Sequence, residues 1–395
     1  MPVGQGQLTF SSVFLCGLIV YALFSHMMKR FCALPFFFSG ILMGYAKVIT
    51  PKVVIVDFYN DEANIWHGIP EFDLLARNIS VPGLSSMYPH VHCTSNGEIC
   101  QLITDEGEIN AAASTTAFVL SPMFNLTSSY FLLAGDAGIN PRVGTLASVA
   151  FARFSVQVAL QYEFDARERP EGSPTGYIPQ GTTGYGQYPG FIYGTEVFEL
   201  NDALRRHAIG FARRATLNDS ASAQAYRETY ASEANFLPAL LPPSVLSCDT
   251  ATSDVWFSGD ILADTFENTM TLFTNGSSQY CTTQQEDSGV LAALVRANVA
   301  GLVDFTRVMS MRTASDFDRP APNQTAADNL FNGQDAGYDA AVMNIYLAGV
   351  QVVQGILGGW NDTFADGVKP QNYVGDIRQT LNSTVAPDFG PDLDA

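Results

Sequence analysis

Acidic and amide side chains gather at four points where an apolar run of the sequence ends. They are Asp57-Phe-Tyr-Asn-Asp-Glu62, Gly135-Asp-Ala-Gly-Ile-Asn140, Gln285-Glu286-Asp287-Ser288 and Arg312-Thr-Ala-Ser315-Asp316-Phe-Asp318. The first crowds three carboxylates beside an apolar strand, which suits a general base. The second places glycines where backbone N–H groups can approach a ligand. It matches neither GxGxxG nor a Walker loop. A carboxylate in the third can accept two hydrogen bonds from the vicinal hydroxyls of a sugar. In the fourth, Asp316 can act as a general acid if its surroundings raise its pKa, with Arg312 orienting it. Each has a plainer reading when taken alone: a helix cap, a tight turn, or an acid satisfying a helix N-terminus.

The elements that must carry these clusters follow from pattern. Lys52–Asp57 is a short apolar run and predicts a buried first strand. Cys100–Thr104 and Tyr130–Gly135 read the same way, with 135–140 as a loop after the latter. Leu146–Phe164 holds two further strand-like runs. Strands are also expected at Ser253–Ser258 and Phe305–Met311. Helices are expected at Gly107–Pro122, Asn201–Arg214, Ser220–Ser232 and Gln284–Asn298. Tyr338–Gly358 is a long apolar helix, but Asp339, Asn344, Gln351 and Gln354 interrupt it, which marks a core helix and not a membrane span. Arg167–Phe191 is rich in Gly, Pro, Tyr and Thr and reads as a long surface loop. Strands alternating with helices indicate an α/β domain, whose ligands sit beyond the carboxyl ends of the strands.

Charge sets further bounds. The 395 residues carry a formal charge of −19, yet residues 1–46 hold no Asp or Glu. From Lys47 onward the balance is −21. No basic surplus exists to neutralise phosphates, so a nucleic-acid partner is not expected. At 47% hydrophobic residues, the chain is not a disordered one. From Met28, a basic pair (Lys29, Arg30), an apolar stretch and Gly44-Tyr45-Ala46 form a signal-peptide pattern with cleavage after Ala46. The expected organisation is a leader over 1–46, a domain over 47–361 and a polar, acidic tail over 362–395. Seven Asn-x-Ser/Thr sites, at Asn78, Asn125, Asn218, Asn275, Asn323, Asn361 and Asn382, all follow the leader and point to a glycosylated, exported surface. Removing the leader leaves Cys93, Cys100, Cys248 and Cys281. Of three possible pairings, Cys93–Cys100 and Cys248–Cys281 close the shortest loops. The five histidines are scattered, His90 and His92 included, and neither a metal nor a cofactor is expected.

Taken in order, the clusters resemble the nucleoside phosphorylase and nucleosidase superfamily. The segments that carry the resemblance are KVVIVDFYNDEANIW, TDEGEINAAASTTAFVL, LLAGDAGIN, DVWFSGDIL, QQEDSGVLAALV and RVMSMRTASDFD, spread over Lys52–Pro320. Within that superfamily the chain is most similar in general pattern to the fungal purine nucleoside permease family. The resemblance implies a three-layer αβα sandwich with a central mixed sheet. It implies that Asp316, with Ser315, protonates N7 of a purine. Glu286, preceded by Gln285, would hold the ribose hydroxyls. Ser258 would lead into the base pocket, with Ile261 and Leu262 along the purine, and Gly135 and Gly138 would line the sugar site. It also implies a homo-oligomer.

One departure bears on the reaction. Phosphorylases of this fold carry a Gly-Asp-Pro-Arg type loop after the first strand, and its arginine contacts phosphate. Here that position reads DFYNDE, with no cation, and a dianion would be repelled. Aligning the strand without gaps puts Glu62 on the carboxylate that activates water in the nucleosidases. The Met usual before the ribose-binding acid is replaced by Gln285. The expectation is an exported protein, at the cell surface or in the medium and associated with membrane or wall, that binds purine nucleosides and supports their uptake through N-glycosidic chemistry. The competing expectations are a secreted nucleosidase with no transport role of its own, and a binding domain that has lost catalysis.

Overall fold

A computed structural model describes residues 48–333 and 336–390. The expected leader lies outside the described residues. The fold begins with β1 (Val53–Asp57) and the single-turn α1 (Asn60–Asn64). Next come β2 (Arg77–Ser80), β3 (His90–Cys93), β4 (Ile99–Ile103), α2 (Glu108–Val119) and the long β5 (Tyr130–Ile139). After them run β6 (Val149–Ala152), β7 (Phe154–Gln157), β8 (Gln161–Glu163), β9 (Tyr177–Pro179) and β10 (Val197–Glu199), then α3 (Asp202–Ala212) and α4 (Ala221–Glu228). The second half holds β11 (Val245–Ser247), β12 (Asp249–Thr252), α5 (Asp260–Phe273), β13 (Tyr280–Gln284), α6 (Asp287–Val299) and β14 (Val308–Phe317). It closes with α7 (Ala326–Asn332), α8 (Tyr338–Gly358) and β15 (Gly375–Asp376).

One mixed sheet organises the described residues. Its main path runs β15-β10-β7-β12-β13-β5-β1-β4-β3-β2, and β14 joins β5 to β6. β1 lies parallel between β4 and β5, and β14 is parallel to β5, whereas β13 runs antiparallel to β5. Alternate residues of a single strand enter opposite cores, because side chains in a strand point to alternate faces. Val54 and Val56 of β1 and Phe131 and Leu133 of β5 pack into the core beneath α2 and α6. Val53 and Ile55, with Tyr130 and Leu132, pack into the core beneath α3 and α8. Helices therefore cover both faces, which is why β1 reads as an unbroken apolar run (VVIVD, buried throughout). The fold is α/β with a central mixed sheet between helical layers, as expected.

The Tyr338–Gly358 helix has the bounds the sequence predicts, and its length and composition would allow it to cross a membrane. Its apolar side, including Ile345, Val352, Val353 and Ile356, packs in the core. The buried Asn344 is satisfied there: its amide donates to the carbonyls of Ala147 and Asn218, and its oxygen accepts from Asn218 N. Both disulfides form in the preferred pairing, Cys93–Cys100 and Cys248–Cys281. All seven Asn-x-Ser/Thr asparagines are exposed.

Several boundaries differ from the sequence expectation. Residues 135–139 are not a loop: β5 continues through them, because β14 and β13 pair along their length. β14 likewise runs to Phe317, past the expected end at Met311, and includes Arg312 and Asp316. The strand expected at Ser253–Ser258 lies earlier, at Asp249–Thr252, and residues 253–258 form the connection to α5. The helix expected from Gln284 begins at Asp287, since Gln284 still belongs to β13. The 167–191 loop contains β9, whose Tyr177 packs on Phe266 of α5, with Tyr188 on Phe273. The 362–395 segment does more than trail: β15 pairs with β10, and Tyr373, Ile377 and Phe389 are buried against Phe154 and its neighbours.

Candidate functional site

The ends of β1, β5, β13 and β14 meet at a cavity of about 290 Å³. Five carboxylates line it: Glu62, Glu106, Asp136, Glu286 and Asp316. Among the described residues that line it, none is Lys, Arg or His. Trp256, Val255 and Phe257 supply an apolar wall, and Trp256 is 63% exposed at the mouth. Tyr59 and Tyr338 close another side.

Glu62 reaches the cavity from α1. Its carboxylate accepts from two backbone groups, Phe58 N and Asp136 N, each at 2.7 Å. Burial raises its pKa well above the usual carboxylate range. The Asp136 charge adds to the rise, Arg312 opposes it, and Glu286 adds again. Gly135 makes this position possible. A Cβ there would lie 2.6 Å from Glu62 Oε1 and 2.7 Å from both Arg312 Nη1 and Phe58 Cδ2.

Glu286 stands at the start of α6. It accepts from Gly107 N and from Arg312 Nη1, each at 3.2 Å. Burial pushes its pKa up to about 7, against the pull of Arg312 and the Gly107 N–H. Gln284 Oε1 accepts from the N–H groups of Glu286 and Asp287 and thereby caps the helix. Arg312 lies behind these groups, 1% exposed, with its guanidinium 4.2 Å from the Phe58 ring centroid. It donates to Asp287 Oδ1 at 2.5 Å and to Gln284 Oε1 at 3.1 Å as well as to Glu286. Burial works against its charge, but Asp287, Glu286 and Glu62 outweigh it and hold the pKa above the ordinary value. The sequence reading paired Arg312 with Asp316; the structure sets its ion pairs on Glu286 and Asp287.

Asp316 and Ser315 follow one another on β14, yet both line the cavity. Successive strand residues ordinarily face opposite ways. Here the β5–β14 register shifts between Ala314 and Asp316, and such a bulge re-aims a side chain. Ser315 Oγ lies 2.9 Å from Asp316 Oδ1 and 3.2 Å from the Ala137 carbonyl. Gly138 sits opposite; a Cβ there would come within 2.9 Å of Thr283 Cγ2 and 3.3 Å of Asp316 Oδ2.

The structure thus brings Glu62, Gly138, Gln285, Glu286, Ser315 and Asp316 to one cavity. Gly135 and Arg312 stand directly behind it. Ser258, Ile261 and Leu262 are elsewhere. Ser258 Oγ accepts from Asn329, Ile261 is 66% exposed, and Leu262 packs on the α5 core. With α5 starting at Asp260, these residues turn away and the wall is left to Trp256 and Phe257, which precede Ser258. Sequence reasoning also missed Asp136, Tyr59, Gln284 and Tyr338. Asp136 and Tyr59 lie inside the quoted clusters, but only the sheet shows which way they face. Among the described residues, no group of three His, Cys, Asp or Glu side chains is disposed to hold a metal.

Fold and site together define an α/β protein whose mixed sheet presents a cation-free, carboxylate-lined cavity at its strand ends. The chain belongs to the purine nucleoside permease family, whose model matches residues 50–369. It is 42% identical over 349 residues to a purine nucleoside permease of Candida albicans, covering 87% of this chain and 84% of that one. Among solved structures it is similar to a 5′-methylthioadenosine/S-adenosylhomocysteine nucleosidase from Neisseria meningitidis, at 12% identity and a TM-score of 0.45, over 78% of this chain and 99% of that one. It is also similar to a futalosine hydrolase of Helicobacter pylori, at 15% identity and a TM-score of 0.45, over 78% and 98% of the two chains.

Proposed function

We propose that this protein binds extracellular purine nucleosides in the β5–β14 cavity and supports their uptake through cleavage of the N-glycosidic bond by water. The observation that carries the reading is the convergence of Glu62, Glu286 and Asp316 on one cavity with no cation in its lining. Asp316 protonates N7 of the purine, so that the base leaves neutral. Glu286 accepts from the ribose hydroxyls, with Gln285 beside it. Glu62, held by two N–H groups, takes a proton from water as its oxygen bonds to C1′. Trp256 and Phe257 offer flat apolar surface to the base. A phosphate dianion among five carboxylates would meet repulsion in place of a clamp, which favours water as nucleophile.

Two disulfides, seven exposed glycosylation sequons and the signal-peptide pattern of the leader support a place in the secretory pathway, ending outside the cell. The second reading, a secreted nucleosidase without a part in uptake, shares the same site.

The test is incubation of the purified chain with inosine or adenosine, with and without phosphate, followed by measurement of free base. Release without phosphate that disappears in Asp316→Asn is the expected result. Strict dependence on phosphate would sink the role given to Glu62. Cells carrying Asp316→Asn that still take up nucleoside at the normal rate would remove cleavage from the uptake route.

A further inference from the structure

A chain of oxygen atoms leads from the floor of the cavity to the surface. At its inner end, Asp136 N donates to Glu62 Oε1 at 2.7 Å, and both side chains line the cavity. Tyr59 Oη donates to Asp136 Oδ1 at 2.9 Å. Tyr59 Oη and Tyr338 Oη are 3.1 Å apart. Tyr338 Oη lies 2.8 Å from Asp61 Oδ2, and Asp61 is exposed. Tyr59 comes from the β1–α1 turn, Asp61 from α1, Asp136 from β5, and Tyr338 from the first residue of α8.

Counting protons shows what such a chain can do. Three links join Asp136, Tyr59, Tyr338 and Asp61, but the two phenols supply only two protons. Filling every link takes a third, and a terminal carboxyl must hold it. With that proton on Asp136, each hydroxyl points outward and Asp61 is the anion. With it on Asp61, each points inward and Asp136 is the anion. Moving one proton along each link converts the first arrangement into the second. The net result is one proton carried outward, and neither phenol ionises. That matters because burial, the Asp136 charge and neighbouring groups make ionisation of Tyr59 very costly.

The hydrolytic reading, on which this inference rests, creates a need for that transfer. In one turnover, water gives a proton to Glu62 and its oxygen bonds to C1′. The C1′–N9 bond breaks, its electron pair passes to the purine, and the purine takes a proton at N7 from Asp316. Base and ribose leave neutral, Asp316 is left anionic, and Glu62 is left protonated and only 1% exposed at the floor of the cavity. Asp316 regains a proton from solvent once the products have gone. We propose that Asp136, Tyr59, Tyr338 and Asp61 form a proton relay that returns the Glu62 proton to solvent between turnovers. Tyr59 and Tyr338 are thus positioning and relay groups, distinct from the residues that meet the substrate bond.

The alternative is a static network that only ties α8 to α1. The two roles separate in Tyr338→Phe and Tyr59→Phe, which keep the rings and remove the hydroxyls. A relay predicts a normal first turnover by rapid quench. Steady-state kcat then falls by about a hundredfold, the low end of what a positioned proton transfer contributes. KM holds, and formate as a diffusible proton carrier restores the rate. An unchanged kcat, or an equal loss in the first turnover without rescue, overturns the relay while leaving hydrolysis intact. If the wild-type chain releases no base at all, the hydrolytic reading fails, and the relay is tested without turnover. A pH jump is then followed in the infrared band of the buried carboxyls. Protonation slower in Tyr338→Phe than in wild type supports the relay, and equal rates refute it.

Discussion

Gly135 and Glu62 occupy space that only one side chain can fill. The Glu62 Oε1 atom sits 2.6 Å from where a Cβ at position 135 would be, and Arg312 and Phe58 close the other approaches. The glycine therefore serves the site through a vacancy beside the carboxylate, inside a strand, and not through the flexibility of a loop.

Gly135→Ala should force Glu62 off its two backbone donors or push Arg312 from its acids. Overpacking of this kind costs about 1–3 kcal/mol. Urea unfolding should show that loss, and base release should fall further than the stability change explains. An alanine variant with normal turnover would mean that the Glu62 position is not needed for the reaction.

The buried carboxylates give stability an unusual pH dependence. Glu286 rises from 4.5 to about 7, Glu199 also reaches about 7, and Glu62 and Asp57 stand well above their ordinary values, in every case first through burial. An acid whose pKa is higher in the fold binds more protons there than in the unfolded chain. Its contribution is complete below the unfolded value and is lost as pH rises through the folded one. Stability should therefore decline between about pH 4.5 and about pH 7. Glu286 alone accounts for about 3 kcal/mol of that decline. Urea midpoints across this range, compared between wild type and Glu286→Gln, check it; a variant with the same slope as wild type refutes the assignment.

Arg312→Met should be among the most damaging single changes. It leaves Glu286 and Asp287, both almost fully buried, without their counter-charge. Removing one partner of a buried ion pair costs about 3–5 kcal/mol. Arg312→Lys should recover little, since a single ammonium cannot serve Asp287, Gln284 and Glu286 together. Thermal unfolding of both variants measures the effect, and a lysine variant as stable as wild type contradicts it.

Trp256→Ala tests the apolar wall. Stacking of a base on an aromatic ring contributes about 1–3 kcal/mol, so KM for a purine nucleoside should rise by roughly tenfold or more while stability barely moves, because the ring is 63% exposed. The exposed Ile261→Ala, placed in the base pocket on sequence grounds, should leave KM unchanged.

Features that rest on local pattern could be read along the chain. The β1 run of VVIVD, the span Tyr338–Gly358 and the two short-loop disulfides were legible, since burial, helical period and loop length leave marks along the chain. Features that depend on pairing between distant segments emerged with the fold. Gly135–Ile139 and Arg312–Phe317 look like loops in sequence because glycines and charges are poor strand formers. They are strands because β5, β13 and β14 satisfy one another's backbone groups. The bulge that turns Ser315 and Asp316 to the same cavity has no sequence mark. Nor does the start of α5 that exchanges Ser258, Ile261 and Leu262 for Trp256 and Phe257. Asp136, Tyr59, Asp61 and Tyr338 come together from β5, the β1–α1 turn, α1 and α8, up to 279 positions apart. A linear reading reports residue types and spacing; which hydroxyl meets which carboxylate is set when the sheet closes the distance between them.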